Sequence, residues 1–177
     1  MGADLLDLYR RASDWTAEKV AGAQDLEAAT PCPDWRVRDL LNHMLDTQRY
    51  FAGAARGEDV SPPAPSPPSL LTDDPSADFE RGSANVIDAY APDGVIERMG
   101  PSLGIAFSDQ LLHGWDLARA TKQDATMPDG LASAAYDSIH GLFTDEQRKG
   151  VFGPEIAVGE DATPQQRLLA YTGRDPD

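Results

Sequence analysis

The sequence has little cysteine, no long apolar run and no secretory signal, and each absence excludes a class of protein. Cys32 is the only cysteine in 177 residues, so an internal disulfide framework is excluded, which suits a cytoplasmic protein. No apolar stretch approaches the ~20 residues needed to cross a bilayer. The first residues lack the basic region and apolar core of a signal peptide. We therefore expect a cytoplasmic protein without a membrane anchor.

Basic residues are also scarce. The chain has 15 Lys and Arg against 30 Asp and Glu, for a formal net charge of -15. Nucleic-acid binding needs a basic patch, and an anionic membrane surface repels a chain of this charge. The acidity indicates a soluble protein, and we predict neither a nucleic-acid partner nor a membrane partner.

Helical periodicity dominates what is present. Apolar residues recur every three to four positions in five segments, which predicts an all-α fold. The predicted helices run over residues 4–20, 36–55, 77–90, 102–121 and 130–147, followed by a short closing helix in PQQRLLAYTG. Only short extended pieces are expected, near residues 153–158.

A proline-rich stretch at residues 57–76, GEDVSPPAPSPPSLLTDDPS, separates the second and third predicted helices. Prolines disfavour helix, and neither flank is a complete domain, so we interpret this stretch as a poorly ordered surface crossing. Residues 1–177 are then a single domain: a four-helix bundle with an additional C-terminal helical segment. The core of such a bundle readily holds a metal between facing helices.

Asp109 and His113 are the strongest candidates for chemistry. They lie four residues apart in FSDQLLHGWDLARA, so a helix stacks them one turn apart. This helix is apolar on both sides, which predicts that it is buried. Buried charges must be paired or bound to metal. The pair is therefore either a carboxylate and imidazole that share a cation or a simple ion pair.

The other candidates leave alternatives open. His43 could complete a set of two histidines and one carboxylate from a facing helix, or lie on the flank of its own helix. Cys32 could be a soft ligand, a redox thiol or a small buried residue. Asp116 could orient an imidazole, or pack its helix by bonding Trp35 or a backbone group. His140 lies off its apolar stripe and is expected to be exposed or at an interface.

Three motifs in this order carry a resemblance: TPCPDWRVRDLLNHM, SDQLLHGWDLA and LLAYTGRDP. Together they resemble the DinB/YfiT-like superfamily, and in particular the family related to the N-terminal metal-binding domain of mycothiol-dependent maleylpyruvate isomerase. The resemblance covers essentially the whole chain. It implies a DinB-like four-helix bundle that binds a divalent metal through His43, Asp109 and His113. The isomerase itself is similar but has glutamate at the acid position, so the shorter Asp109 is expected to alter the metal preference.

The resemblance also implies a function. Zinc is the expected metal, with nickel, manganese or iron as alternatives, and mycothiol is the implied cosubstrate. We expect a metal-dependent thiol S-transferase or isomerase that acts on a small-molecule thiol and an electrophile. The alternative is a metal-binding sensor or interaction module without turnover. A homodimer is compatible with either, and the sequence identifies no catalytic residue besides the ligands.

Overall fold

The computed structural model describes the backbone of residues 2–176 and the side chains of residues 5–176. Seven helices account for the regular structure of this part of the chain: α1 (Gly2–Ala21), α2 (Val37–Arg56), α3 (Pro75–Tyr90), α4 (Val95–Ala120), α5 (Leu131–Ile139), α6 (Asp145–Arg148) and α7 (Pro164–Tyr171). Within these residues there is no β-strand, only an isolated bridge between Ala29 and Arg36. The prediction of an all-α fold is confirmed.

The first four helices form a closed ring of neighbours. α1 packs on α4, α4 on α2, α2 on α3 and α3 on α1, which is the arrangement of a four-helix bundle. The additional C-terminal segment is attached through α5, which packs on both α4 and α7. The centre of α4 is therefore surrounded by other helices, and Phe107, Leu111 and Leu117 are completely buried. None of the described helices is long and apolar enough to span a membrane.

Two helices begin earlier than predicted. α4 begins at Val95, not residue 102, because Gly94 turns the chain with φ 80° and the helix continues through Pro101. Proline cannot donate the helical hydrogen bond, but the preceding Gly100 has no Cβ to meet the proline ring. α3 begins at Pro75, not residue 77, because the Asp74 carboxylate accepts from the Ala77 amide and caps that end. The predicted loop therefore ends at residue 74.

The fifth predicted helix is in fact two. α5 ends at Ile139 because His140 is extended and Gly141 has φ 72°, a left-handed conformation that ends helices. Thr144 and Gln147 then form a capping box that starts the single turn of α6. Apolar spacing alone does not indicate this break, so the helix predicted from it extends across residues 140–144.

The second half of the proline-rich stretch is attached to the bundle. The Asn42 side chain accepts hydrogen bonds from the amides of Leu70 and Leu71, at 2.7 and 2.9 Å. The indole of Trp35 donates to the Pro65 carbonyl at 3.1 Å. The order of this segment relative to the rest of the chain stays a prediction.

A buried polar network fixes how α4 is rotated within the bundle. The side-chain oxygen Oε1 of Gln110 accepts from the Tyr9 hydroxyl of α1 and from the side-chain amide of Gln48 on α2, both at 3.1 Å. Gln110 also donates to Ser13 of α1, and Gln48 donates to Ser83 of α3. All four helices contribute. Because buried polar groups lose free energy when their hydrogen bonds are broken, these bonds favour one rotation of α4. That rotation places the residue next to Gln110 at the site described below.

Candidate metal centre

Asp109 and His113 lie one turn apart on α4, as their spacing predicts. Asp109 Oδ1 is 3.4 Å from His113 Nε2. The side chain of His113 is 10% exposed and that of Asp109 is 27% exposed. The pair thus lies at the border between the core and the solvent, with the carboxylate on the open side.

His43 reaches the same point from α2. Its Nε2 is 3.9 Å from Asp109 Oδ1, and its ring meets the His113 ring edge-on with centroids 4.8 Å apart. The side chain of His43 is 14% exposed. The flank position suggested by periodicity is real, but that flank faces α4. The structure therefore brings together all three residues that the sequence analysis singled out.

The loop before α2 covers one side of this trio. Thr30 holds the loop closed, since its hydroxyl donates to the Trp35 carbonyl at 2.9 Å and accepts from the Cys32 amide at 3.1 Å. Trp35 then lies over the His43 ring, with centroids 4.6 Å apart. This aromatic contact restrains the His43 imidazole, whose Nδ1 is buried without a hydrogen-bond partner among the described residues.

Asp116 holds the opposite nitrogen of His113. Its Oδ2 is 2.9 Å from His113 Nδ1 and accepts from the Cys32 thiol at 3.3 Å. The Arg174 guanidinium donates to both carboxylate oxygens, at 2.9 and 2.7 Å. We call these four residues the Asp116 cluster. Of the two interpretations of Asp116, orientation of an imidazole matches this geometry, and the suggested bond to Trp35 is wrong.

Opposing charges dominate the electrostatics. Burial by itself would raise the pKa of Asp109, but His113 and His43 outweigh it and hold that pKa far below its usual range. Burial would lower the pKa of His113, yet Asp109 and the hydrogen bonds to Asp109 and Asp116 raise it well above 6.5. Arg174 and His113 likewise keep the pKa of the buried Asp116 low. The site is thus an array of opposing charges, in which Asp109 and Asp116 favour the protonated form of His113.

The donors of His43, Asp109 and His113 fit a divalent cation. Their ligand atoms all lie within 4.8 Å of one another. Ligands on one tetrahedral zinc at about 2.0–2.1 Å lie about 3.3–3.5 Å apart, so modest side-chain adjustment closes the set. Two imidazoles and a carboxylate suit zinc and other first-row divalent ions.

A second group, Cys32, His113 and Asp116, also has metal-ligand spacing. The Arg174 guanidinium already neutralises its carboxylate through two hydrogen bonds. A cation there would lie against the arginine, so only the first group is a candidate metal site.

One member of the Asp116 cluster, Arg174, was missed by sequence reasoning, although it lies in the LLAYTGRDP motif. Cys32 was named with three possible roles, and the structure places its thiol against the Asp116 carboxylate. Both contacts depend on where the loop and the tail return to α4, which local periodicity does not encode. His140 is exposed, as expected, and stacks on Tyr136.

The fold is a four-helix bundle, and two histidines and a carboxylate converge between α2 and α4. These two features place the chain in the class of candidate metal-binding bundles. Residues 6–118 match the family described as mycothiol maleylpyruvate isomerase N-terminal domain. The chain belongs to that family, and the resemblance inferred from the three motifs is confirmed.

Two curated relatives extend over nearly the whole chain. They are the uncharacterized proteins MT0763 and Rv0738 of Mycobacterium tuberculosis, strains CDC 1551 / Oshkosh and H37Rv. Each is 28% identical over 185 residues, which covers 97% of this chain and 98% of the relative. No solved structure matches the chain.

Proposed function

We propose that the protein binds one divalent cation, most suitably zinc, through His43 Nε2, Asp109 and His113 Nε2. Convergence of these donors from two helices supports the proposal, as does the burial of the two imidazoles. A partly buried carboxylate beside two imidazoles favours a cation that balances its charge. In the absence of a metal, the raised pKa of His113 makes its proton the available counter-charge.

One observation supports an open site over a closed structural one. Structural zinc sites have four protein ligands, whereas catalytic sites have three and an open position. Among the described residues, no fourth histidine, cysteine, aspartate or glutamate joins His43, Asp109 and His113. The nearby Cys32 thiol faces Asp116, on the Nδ1 side of His113. A small molecule can therefore occupy the remaining position, on the side where Asp109 is exposed.

We propose a low-molecular-weight thiol, mycothiol, as the molecule that occupies this position, since the family description names mycothiol. A bound cation lowers the pKa of a coordinated thiol and makes it a nucleophile at neutral pH. The sulfur then forms a bond to an electrophilic carbon as the π bond of an activated alkene opens. The thiol proton leaves to solvent, and the neighbouring carbon takes one from solvent. Reversal of this addition after rotation gives an isomerase, and retention of the bond gives an S-transferase.

Cobalt-substituted protein tests this function. Added mycothiol should produce an intense sulfur-to-cobalt charge-transfer band, and S-methyl mycothiol should produce none. Metal-loaded protein should also accelerate consumption of mycothiol by an activated alkene, whereas His113→Ala protein should not. A charge-transfer band without acceleration would favour a sensor or interaction module. Absence of the band would overturn the thiol assignment.

A further inference from the structure

Three metal ligands alone do not explain why the residues of the Asp116 cluster are assembled beside them. Asp116 is completely buried, and an ionised carboxylate there needs a positive partner. That partner, Arg174, comes from the C-terminal end of the chain, 58 residues away. The tail is thus bonded to a residue that contacts a proposed metal ligand.

The end of α7 is built to deliver this arginine. The Gly173 amide donates to the Ala170 carbonyl at 3.0 Å, and the Arg174 amide donates to the Leu169 carbonyl at 2.9 Å. These two bonds form a Schellman motif, which reverses the chain after the helix. Gly173 has φ 76°, and a Cβ there would come within 2.6 Å of the Gly153 backbone. Glycine is therefore required at this turn, and Arg174 is the residue that it directs toward α4.

Each of these contacts fixes the orientation of the next side chain, from Arg174 through Asp116 to His113. The planar guanidinium donates to both oxygens of Asp116, which fixes the plane of the carboxylate. Oδ2 is then held 2.9 Å from His113 Nδ1. An acceptor at Nδ1 fixes both the rotation of the imidazole and the nitrogen that carries the proton, so that Nε2 faces Asp109 and His43. His43 has no such partner at its Nδ1 among the described residues. Its ring is contacted by Trp35, and its Nε2 lies 3.4 Å from the Thr47 hydroxyl.

We propose that Arg174 is a positioning residue of the metal centre that acts through Asp116 on His113, so that docking of the C-terminal tail and metal binding strengthen each other. This inference rests on the proposed metal site. It assigns a role to the LLAYTGRDP motif and makes the tail a determinant of metal affinity, although it contributes no ligand.

Cobalt titration of four full-length proteins tests the proposal: wild type, Arg174→Ala, Arg174→Lys and Arg148→Ala. Arg148 is the matched control, because it anchors the same end of α7 without touching Asp116. Its guanidinium donates to the Tyr171 carbonyl at 2.7 Å and lies 4.2 Å from the centre of the Tyr171 ring. Each titration follows the visible d–d spectrum of Co²⁺, and each variant's melting temperature is measured without metal.

Arg174→Ala should weaken Co²⁺ binding by about 10- to 100-fold and change the d–d spectrum, which is the usual effect of losing a residue that orients a ligand. Arg174→Lys keeps the charge without the planar fork and should recover only part of the affinity. Millimolar guanidinium chloride should restore affinity and spectrum to Arg174→Ala. Arg148→Ala should lower the melting temperature but leave both Co²⁺ affinity and spectrum as in the wild type.

Each outcome decides a different question. Wild-type protein that binds no Co²⁺ would overturn the proposed metal site and this inference with it. If the wild type binds Co²⁺ and both Arg174 variants match it, only the positioning role is overturned. Equal losses of affinity in Arg174→Ala and Arg148→Ala would mean that the tail merely stabilises the fold, which also contradicts the proposal. If Arg174→Ala does not fold, the Co²⁺ affinity and spectrum of Arg174→Lys are compared with those of the wild type and Arg148→Ala in its place.

Discussion

Metal affinity is expected to depend on pH through His113. In the metal-free protein, Asp109 and the hydrogen bonds to Asp109 and Asp116 outweigh burial and raise the pKa of His113 well above 6.5. Nε2 must lose its proton before it can bind a cation. Displacing one proton changes the apparent affinity about tenfold per pH unit. The affinity should therefore keep rising above about pH 7.5, where a histidine with the ordinary pKa of about 6.5 has already lost about nine tenths of its protons.

The stability of the metal-free protein should change in the opposite direction. A pKa that is higher in the folded state gives stability that is fully present below the unfolded value of about 6.5 and is lost as pH rises through the folded value. In the metal-loaded protein, Nε2 of His113 would hold the metal in place of a proton, so this loss of a proton would no longer occur. The gap between the melting temperatures of the loaded and metal-free proteins should widen with pH. At fixed excess metal, a tenfold gain in affinity adds about 1.4 kcal/mol, or about 3–6 °C per pH unit for a chain of this size.

Scanning calorimetry with and without zinc, between about pH 7.5 and about pH 8.5, measures this gap where a histidine with a pKa of about 6.5 contributes little. Asp116→Asn is the matched control. It removes one of the groups that raise the pKa of His113, so its gap should stop widening at a lower pH than in the wild type. A wild-type gap that stays constant across this range would refute the assignment of His113 as a charged residue that metal binding deprotonates.

Three further predictions concern the scaffold. Gly114→Ala should destabilise the protein by about 1–3 kcal/mol in urea unfolding, because the added Cβ would come within 2.5 Å of Thr16 Oγ1 where α1 crosses α4. A Gly114→Ala variant as stable as the wild type would contradict this packing. The pKa of the buried Asp78 is lowered, since its hydrogen bonds to Thr72 and its ion pair outweigh burial. The stabilisation by ionised Asp78 should be present above pH 3.8 and lost as pH falls through the lower folded pKa. Asp78→Asn should cost about 1–3 kcal/mol at neutral pH and make the free energy of unfolding less dependent on pH in acid. An unchanged pH dependence in acid would refute this. In hydrogen exchange, the amides of residues 59–69 should exchange faster than the two amides bonded to the Asn42 side chain. Asn42→Ala should remove that difference, and equal protection of all these amides in the wild type would show that the Asn42 side chain does not hold the segment.

Much of the fold could be predicted because it depends on local spacing. The core positions of α1, α2 and α4 recur with helical period, and burial of α4 followed from apolar residues on both of its sides. The misplaced boundaries have local causes of another kind. The capping box of Thr144 and the left-handed turn at Gly141 are backbone and side-chain features that a hydrophobic pattern does not contain.

The candidate site was predictable to the extent that it lies on one helix. Asp109 and His113 are paired by their spacing alone. His43 could not be decided from the sequence pattern, because its role depends on how α2 is rotated toward α4, which the network around Gln110 helps to fix. The role of Arg174 could not be predicted either, because its partner, Asp116, lies 58 residues away in the sequence.

Anomalous diffraction from crystals of the zinc-loaded protein, recorded on both sides of the zinc absorption edge, tests the metal site most directly. We expect one strong anomalous peak between α2 and α4, bonded to Nε2 of His43 and Nε2 of His113 at about 2.0–2.1 Å and to an Asp109 oxygen at about 2.0–2.2 Å, with one position left for a small molecule. Crystals of His113→Ala grown under the same conditions should lack that peak. A wild-type peak bonded to Cys32 and Asp116 instead, or no peak within reach of His43, Asp109 and His113, would contradict the proposed metal site.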